Sequence, residues 1–135
     1  MKPLFHPSVD DISVEAILHA LSDPVRAAIY AEIAGSSCPH ICSSFLHFRD
    51  QCIPKSTLSQ HFKALREAGL IRSERRGVEL HNTSRASEIE ARFPRLVSAI
   101  LQAHLAQSRR QMRVNGSGKP KRAAGKPPVR KSLKT

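Results

Sequence analysis

Apolar residues recur at helical spacing through much of the first hundred positions. The clearest example is Leu58, Phe62 and Leu65. On a helix that turns about 100° per residue, these side chains would lie within about 60° of one another. This pattern predicts a helix with one buried stripe. Residues 70–74 and 78–82 are instead short extended runs on either side of a turn that contains glycine, which predicts a β-hairpin.

Capping and breaking residues mark where the predicted elements begin and end. Ser22-Asp23-Pro24 combines a capping side chain with proline at the first helical position. Before the hairpin we predict four helices: one from Asp10 or Asp11, one that begins at Pro24 and ends at Gly35, one over about 38–49 and one over 55–68. After the hairpin we predict a short helix with Ser87 and Glu90 as its capping box. A last helix begins at Pro94. This order is mainly α-helical with a small β-hairpin wing, and it describes a winged helix-turn-helix.

The positive charge of the chain lies mostly at its C-terminal end. The 135 residues carry 22 Lys and Arg against 11 Asp and Glu, a formal net charge of +11. Ten of the 22 follow Ser108, where no acidic residue and almost no large apolar residue occurs. We therefore expect an N-terminal arm over 1–9, a nearly neutral folded domain over 10–107 and a disordered basic tail over 108–135.

Length and composition exclude several classes of protein. The chain suffices for one small domain. No apolar run approaches the roughly 18 residues that cross a bilayer, and the N-terminus lacks the apolar stretch of a signal peptide. No nucleophile elbow, phosphate-binding glycine loop or metalloprotease motif occurs, so we expect no enzyme. We expect a cytoplasmic protein with reduced cysteines.

The helix over 55–68 has an unusual polar face. Surface helices generally carry long charged residues, whereas this one opens with small hydroxyls and an amide that can approach base edges and phosphates closely. An ordinary amphipathic helix with a hydroxyl-rich first turn would share this composition. Arg72, Arg75 and Arg76, expected at the hairpin tip where a wing straddles a phosphate backbone, favour DNA binding. The polar residues of the helix are Lys55, Ser56, Thr57, Ser59, Gln60 and Lys63.

Four segments, in one order and with sensible spacing, resemble the ArsR/SmtB family of repressors. Residues 20–26 (ALSDPVR) resemble the opening of the family's second helix, and residues 55–71 resemble its recognition helix down to the final Ala-Gly-Leu. Residues 75–77 fit the wing, and residues 91–94 with the apolar stripe that follows fit the last helix of one subgroup. The resemblance covers about residues 10–107.

The resemblance implies a homodimeric transcriptional repressor that reads an inverted repeat in double-stranded DNA with two recognition helices. The first and last helices would form the dimer interface. His61 lies beside the apolar stripe, so packing with a hydrogen bond to phosphate competes with base reading as its role. By matched position, the DNA-binding residues would be Lys55, Ser56, Thr57, Ser59, Gln60 and His61, with Arg75 and Arg76 on the phosphate backbone. Lys63, on the same polar face of the helix, is a further candidate.

A second function remains open from the sequence. A nucleoid-type protein would bind DNA without sequence preference through its basic tail and would use the winged helix mainly to dimerise. Tail-driven binding is steeply salt-dependent, with log K falling by about 0.9 per phosphate neutralised for each decade of salt. The two functions therefore differ in their response to salt and to random competitor DNA.

Three cysteines raise the question of an effector site. Cys38, Cys42 and Cys52 fall within fifteen residues, and members of the resembled family typically respond to a metal, a metalloid or a thiol oxidant. Three thiolates could form a soft metal site, and two could form a disulfide. In the predicted helix over 38–49, however, Cys38 and Cys42 share a face with apolar residues, as buried core cysteines do. We expect no obligatory cofactor.

Overall fold

The computed structural model describes residues 4–118. The chain divides into two compact units, one up to Leu101 and one from Gln102 onward. Two short 3₁₀ helices, Val9–Asp11 and Cys42–Phe45, accompany the regular elements. These elements are α1 (Val14–Leu21), α2 (Pro24–Ala34), β1 (His40–Ile41), β2 (His47–Phe48), β3 (Gln51–Cys52), α3 (Lys55–Glu67), β4 (Ile71–Arg76), β5 (Glu79–Ser84), α4 (Ala86–Arg92) and α5 (Leu96–Gly118).

The first two helices begin at capping side chains. The Ser13 hydroxyl accepts a hydrogen bond from the Ala16 amide, and Asp23 accepts from the amides of Val25 and Arg26 at 2.8 and 3.1 Å. The start of α2 is therefore as predicted. The start of α1 is four residues later than Asp10, because Ser13 caps the helix.

The predicted helix over 38–49 is wrong. Its residues form β1, a 3₁₀ turn and β2, which pairs with β3 around a two-residue turn. Arg49 and Asp50 both have positive φ there, at 51° and 63°, as in a type I′ hairpin turn. The apolar spacing misled because Phe45 reaches the core from a 3₁₀ turn, where it packs on Phe62 at 5.5 Å between ring centroids.

The wing is an antiparallel hairpin inside a three-stranded sheet of order β1-β5-β4. Its register pairs Ser73 with Asn82 and Arg76 with Glu79, and the turn is Gly77-Val78. Gly77 has φ +65° and no other residue of the turn has positive φ, the pattern of a type II′ turn. The hairpin is thus confirmed, and each strand is one residue longer than predicted, beginning one residue later and ending two residues later.

The core lies among α1, α2, α3 and the inner face of the hairpin. Gly69, which ends α3 as predicted, has φ +87°, and a Cβ there would lie 2.5 Å from the Ile12 side chain. Only glycine fits this position without a shift of Ile12. The largest fully buried side chains are Tyr30, Phe45, Phe62, Ile17, Ile29, Ile33, Leu65, Leu70, Ile71, Ile89 and Asn82.

The last two helices differ from their predicted boundaries. No side chain caps α4 at its N-cap, so the predicted capping box of Ser87 and Glu90 is wrong; Glu90 instead accepts a hydrogen bond from the Arg95 amide. Arg95 has φ +67°, and α5 begins after it rather than at Pro94. Within residues 4–118, no helix is both long and apolar enough to span a lipid bilayer.

The expected disordered tail overlaps with α5. The helix continues through residues 108–118, where disorder was expected, and residues 119–135 lie outside the described part. Residues 108–114 contain no glycine or proline, and their arginine, glutamine and methionine are good helix formers. Low apolar content alone was therefore a poor guide to where the helix ends.

Candidate nucleic-acid interface

Helix α3 separates a buried face from an exposed one. Leu58, Phe62 and Leu65 are at most 3% exposed and pack in the core, as their spacing predicts. The opposite face is open to solvent over the first turns of the helix. The exposed residues are Lys55, Ser56, Thr57, Ser59, Gln60 and Lys63.

The N-terminus of α3 is left without a side-chain cap. Its N-cap residue is Pro54, which has no side-chain acceptor, and the first amide with an intrahelical partner is that of Leu58, which donates to the Pro54 carbonyl. The first-turn amides of α3 are therefore available to an anion, and the helix dipole favours negative charge there. In this respect α3 differs from the two helices before it, α1 and α2, which have capping side chains.

His61 lies apart from the exposed face. Its side chain is 9% exposed, and its Nδ1 has no hydrogen-bond partner among the described residues. Burial lowers the pKa of His61, and the charge of Asp23 at the start of α2 opposes this effect. Of the two roles that the sequence left open, this position favours packing over base reading.

The arginines of the wing lie on different faces. Arg75 lines a cleft between α3 and the hairpin, whereas Arg76 lies on the other face of β4 and pairs with Glu74 at 2.9 Å. Arg72, expected at the tip, is near the base of the hairpin and pairs with Glu88 of α4 at 3.4 Å. The strand register therefore leaves two arginines near the tip, not three.

A buried polar network fixes the wing to the rest of the domain. Asn82, which is fully buried, accepts a 2.6 Å hydrogen bond from the Ser73 hydroxyl and donates to the His40 carbonyl at 3.0 Å. The same amide contacts Cys42 Sγ at 3.3 Å, and Arg66 donates to Ser73 at 3.3 Å. Sequence patterns did not single out Asn82 or Arg66, because their partners are distant along the chain.

The N-terminal arm is also anchored to the sheet and α4. His6 Nε2 accepts a hydrogen bond from the Ser73 amide at the outer edge of β4, and Arg85 donates to the Pro7 carbonyl. Arg92 donates to the carbonyl of Val9, at the end of the arm, and to those of Asp10 and Ile12, which follow it. Burial lowers the pKa of His6, and the charges of nearby arginines act in the same direction.

The cysteines do not gather into a metal site. Within residues 4–118, no group of three or more His, Cys, Asp or Glu side chains is placed to hold a metal ion. Cys38 and Cys52 are exposed and Cys42 is half-buried, and Cys38 and Cys42 do not share a helix face as expected. Burial raises the pKa of the Cys42 thiol, so it is a neutral thiol at neutral pH.

Comparison with known proteins agrees with this architecture. A helix-turn-helix domain family matches residues 21–74, the segment from the end of α1 to β4. The "HTH-type transcriptional repressor SmtB" of two Mycobacterium tuberculosis strains is 38% identical over 65 residues, which is 47% of this chain and 44% of that protein. The chain thus matches less than half of the length of these curated relatives.

A solved structure, titled "ArsR-like Transcriptional Regulator from Rhodococcus sp. RHA1", is similar with a TM-score of 0.48 and 20% identity. The match covers 78% of this chain and 92% of that one. The helix order and the hairpin after α3 define a winged helix-turn-helix protein. Its similarity to helix-turn-helix domains over residues 21–74 and to the SmtB repressor over 65 residues agrees with the motifs of the sequence.

Proposed function

We propose that the protein is a sequence-specific DNA-binding transcriptional regulator that acts as a repressor. The observation that carries this proposal is the start of α3, where small polar side chains are exposed and the backbone amides lack a side-chain cap. A helix of this kind can enter a major groove with its first turns, where hydroxyl and amide groups reach base edges. The repressor role is supported by the similarity to SmtB, which is a transcriptional repressor by name.

The wing completes the surface. Arg75 and Arg76, exposed near the hairpin tip, would contact phosphates on either side of the wing. Arg76 can exchange its exposed Glu74 partner for a phosphate at little cost, because surface ion pairs contribute little to stability. In this arrangement α3 reads the sequence and the wing sets the orientation of the domain on the duplex.

A homodimer would pair two such surfaces on an inverted repeat. Leu18 of α1 is 49% exposed, and on α5 Leu105 and Met112 are 41% and 71% exposed. Exposed apolar side chains on the two helices that the resemblance assigns to dimerisation support this assembly. Two recognition helices related by a twofold axis would read half-sites about one helical turn apart.

Selection from a random duplex library by the full chain tests the proposed function. We expect an enriched inverted repeat that is still bound in excess random DNA. A pool without enrichment, bound with steep salt dependence, would contradict the proposal and favour the nucleoid-type function. A variant that lacks residues 119–135 provides the control, because we expect it to enrich the same sequence with lower overall affinity.

A further inference from the structure

The cleft between α3 and the wing has a volume of about 360 Å³. This volume lies within the range of small-molecule sites, which is about 300–1,000 Å³. Its apolar lining includes the half-buried Ile41, Leu46 and Leu80, and Cys42 also borders it. A ligand with an apolar body would be covered on both sides, by the helix and by the hairpin.

The charges around this cleft are unbalanced. Lys55, Arg66 and Arg75 line it, against a single acidic residue, Glu79. The carboxylate of Glu79 already contacts His81 Nε2 at 3.2 Å. The cleft therefore combines an apolar lining with an excess of positive charge.

Arg66 is the cation that most needs a partner. Its side chain is half-buried, and among the described residues it donates a hydrogen bond to the neutral hydroxyl of Ser73. In the part of the chain that the structure describes, Arg66 forms no ion pair. Burial lowers the pKa of Arg66, and the charge of Glu67 opposes this effect, although Glu67 forms its ion pair with Lys63. The adjacent Cys42 thiol is neutral at neutral pH. A desolvated guanidinium without a carboxylate in hydrogen-bond contact favours an external anion.

We propose that this cleft binds a small amphipathic carboxylate, whose anionic group pairs with Arg66 and whose apolar body lies against Ile41, Leu46 and Leu80. An inorganic anion would leave the apolar lining uncovered. Lys55, Ser59 and Arg75, which are candidate DNA contacts, line the same cleft, so the bound carboxylate excludes DNA. This second consequence rests on the proposed function, whereas carboxylate binding itself does not.

Octanoate, titrated calorimetrically into the free protein, is the probe, with acetate and 1-octanol as controls. We expect octanoate to bind one site at least about tenfold more tightly than either control, a difference of about 1.4 kcal/mol. Arg66→Met should lose about tenfold in octanoate affinity, whereas Arg66→Lys should stay within a few-fold of the wild type. Arg109→Met, which changes an exposed arginine outside the cleft, should bind octanoate as tightly as the wild type. Equal affinity of octanoate and octanol, or of Arg66→Met and the wild type, overturns the proposal.

Chemical labelling locates the site even if Arg66→Met fails to fold. In a Cys38→Ser/Cys52→Ser variant, Cys42 is the only remaining cysteine. Octanoate should slow its reaction with a maleimide several-fold, and an unchanged rate would overturn the proposal.

A DNA arm separates this proposal from the proposed function. Octanoate should release DNA from the wild type but not from Arg66→Met. A protein that binds octanoate at Arg66 but no specific DNA would refute the proposed function and leave the ligand site standing. Specific DNA binding without octanoate binding would refute the ligand site and leave the proposed function standing.

Discussion

The Ser73 hydroxyl donates a 2.6 Å hydrogen bond to Asn82 Oδ1 between the two strands of the wing, where both side chains are buried. The Asn82 amide group then donates to the His40 carbonyl of β1, 42 residues away along the chain. One side chain thus joins all three strands of the sheet. The position of the wing relative to α3 depends on this junction.

Asn82→Ala should destabilise the protein by about 1–3 kcal/mol, because the buried Ser73 hydroxyl would lose its acceptor and the half-buried His40 carbonyl would lose a donor. Urea unfolding measures the loss. Thr83→Ala, the exposed neighbour on β5, is the matched control and should change the free energy of unfolding by no more than about 0.5 kcal/mol. Equal stability of the two variants would show that the buried network does not hold the wing.

The anchoring of the N-terminal arm should depend on pH through His6. Only the neutral imidazole can accept the Ser73 amide, and burial together with Arg72, Arg66 and Arg85 lowers the pKa of His6 below its ordinary value of 6.5. Because this pKa is lowered by folding, the contribution of His6 to the free energy of unfolding is present above pH 6.5 and is lost as the pH falls below 6.5. The glutamine of His6→Gln can accept this hydrogen bond but does not titrate. The free energy of unfolding of this variant should therefore fall less than that of the wild type between pH 7.5 and 5.5.

The exposed His47 supplies the control for this pH dependence. His47→Gln should keep the wild-type slope of unfolding free energy against pH. His61 also has a lowered pKa and acts in the same direction, so some slope should remain in His6→Gln. A His6→Gln slope identical to that of the wild type would mean that the arm is not held through this imidazole.

The proposed homodimer predicts a charge-sensitive surface on α1. Leu18→Glu places a carboxylate on an exposed apolar position and should weaken self-association at least about tenfold. Glu15→Gln, an exposed substitution on the same helix, should leave it unchanged. Sedimentation equilibrium gives the dissociation constants, and a Leu18→Glu protein that assembles like the wild type would place the interface elsewhere.

The wing arginines should contribute affinity without sequence preference. Arg76→Ala should weaken binding to selected and random DNA by the same factor. The slope of log K against log salt concentration should become less steep by about 0.9, the value for one phosphate contact. Arg72→Ala is the control, because Arg72 pairs with Glu88 at the base of the hairpin. Binding titrations at several salt concentrations test both variants. A loss confined to the selected sequence would give Arg76 a base-reading role instead.

The sequence predicted the elements whose signals are local. Asp23 followed by Pro24 predicted the start of α2, and the stripe of Leu58, Phe62 and Leu65 predicted α3, because capping and amphipathic packing are set within a few residues. Gly77 predicted the turn of the wing for the same reason.

Features that depend on distant partners were not predictable. Residues 38–49 have helical spacing, yet β1 forms because His40 pairs with Asn82 across the sheet. Such pairing overrides local propensity, and no nearby residue signals it. Arg66 looks like an ordinary surface arginine of α3, and only the fold places it behind the wing beside Cys42.

The central claim is that the exposed face of α3 reads bases. The most direct test measures affinity for a selected DNA site and for variants of it in which each base pair is substituted in turn. For Gln60→Ala, the account predicts a profile that flattens at one or two positions per half-site, by about 1–3 kcal/mol each, with the other positions unchanged. A Gln60→Ala profile that keeps the wild-type shape, with equal loss at every sequence, would contradict it.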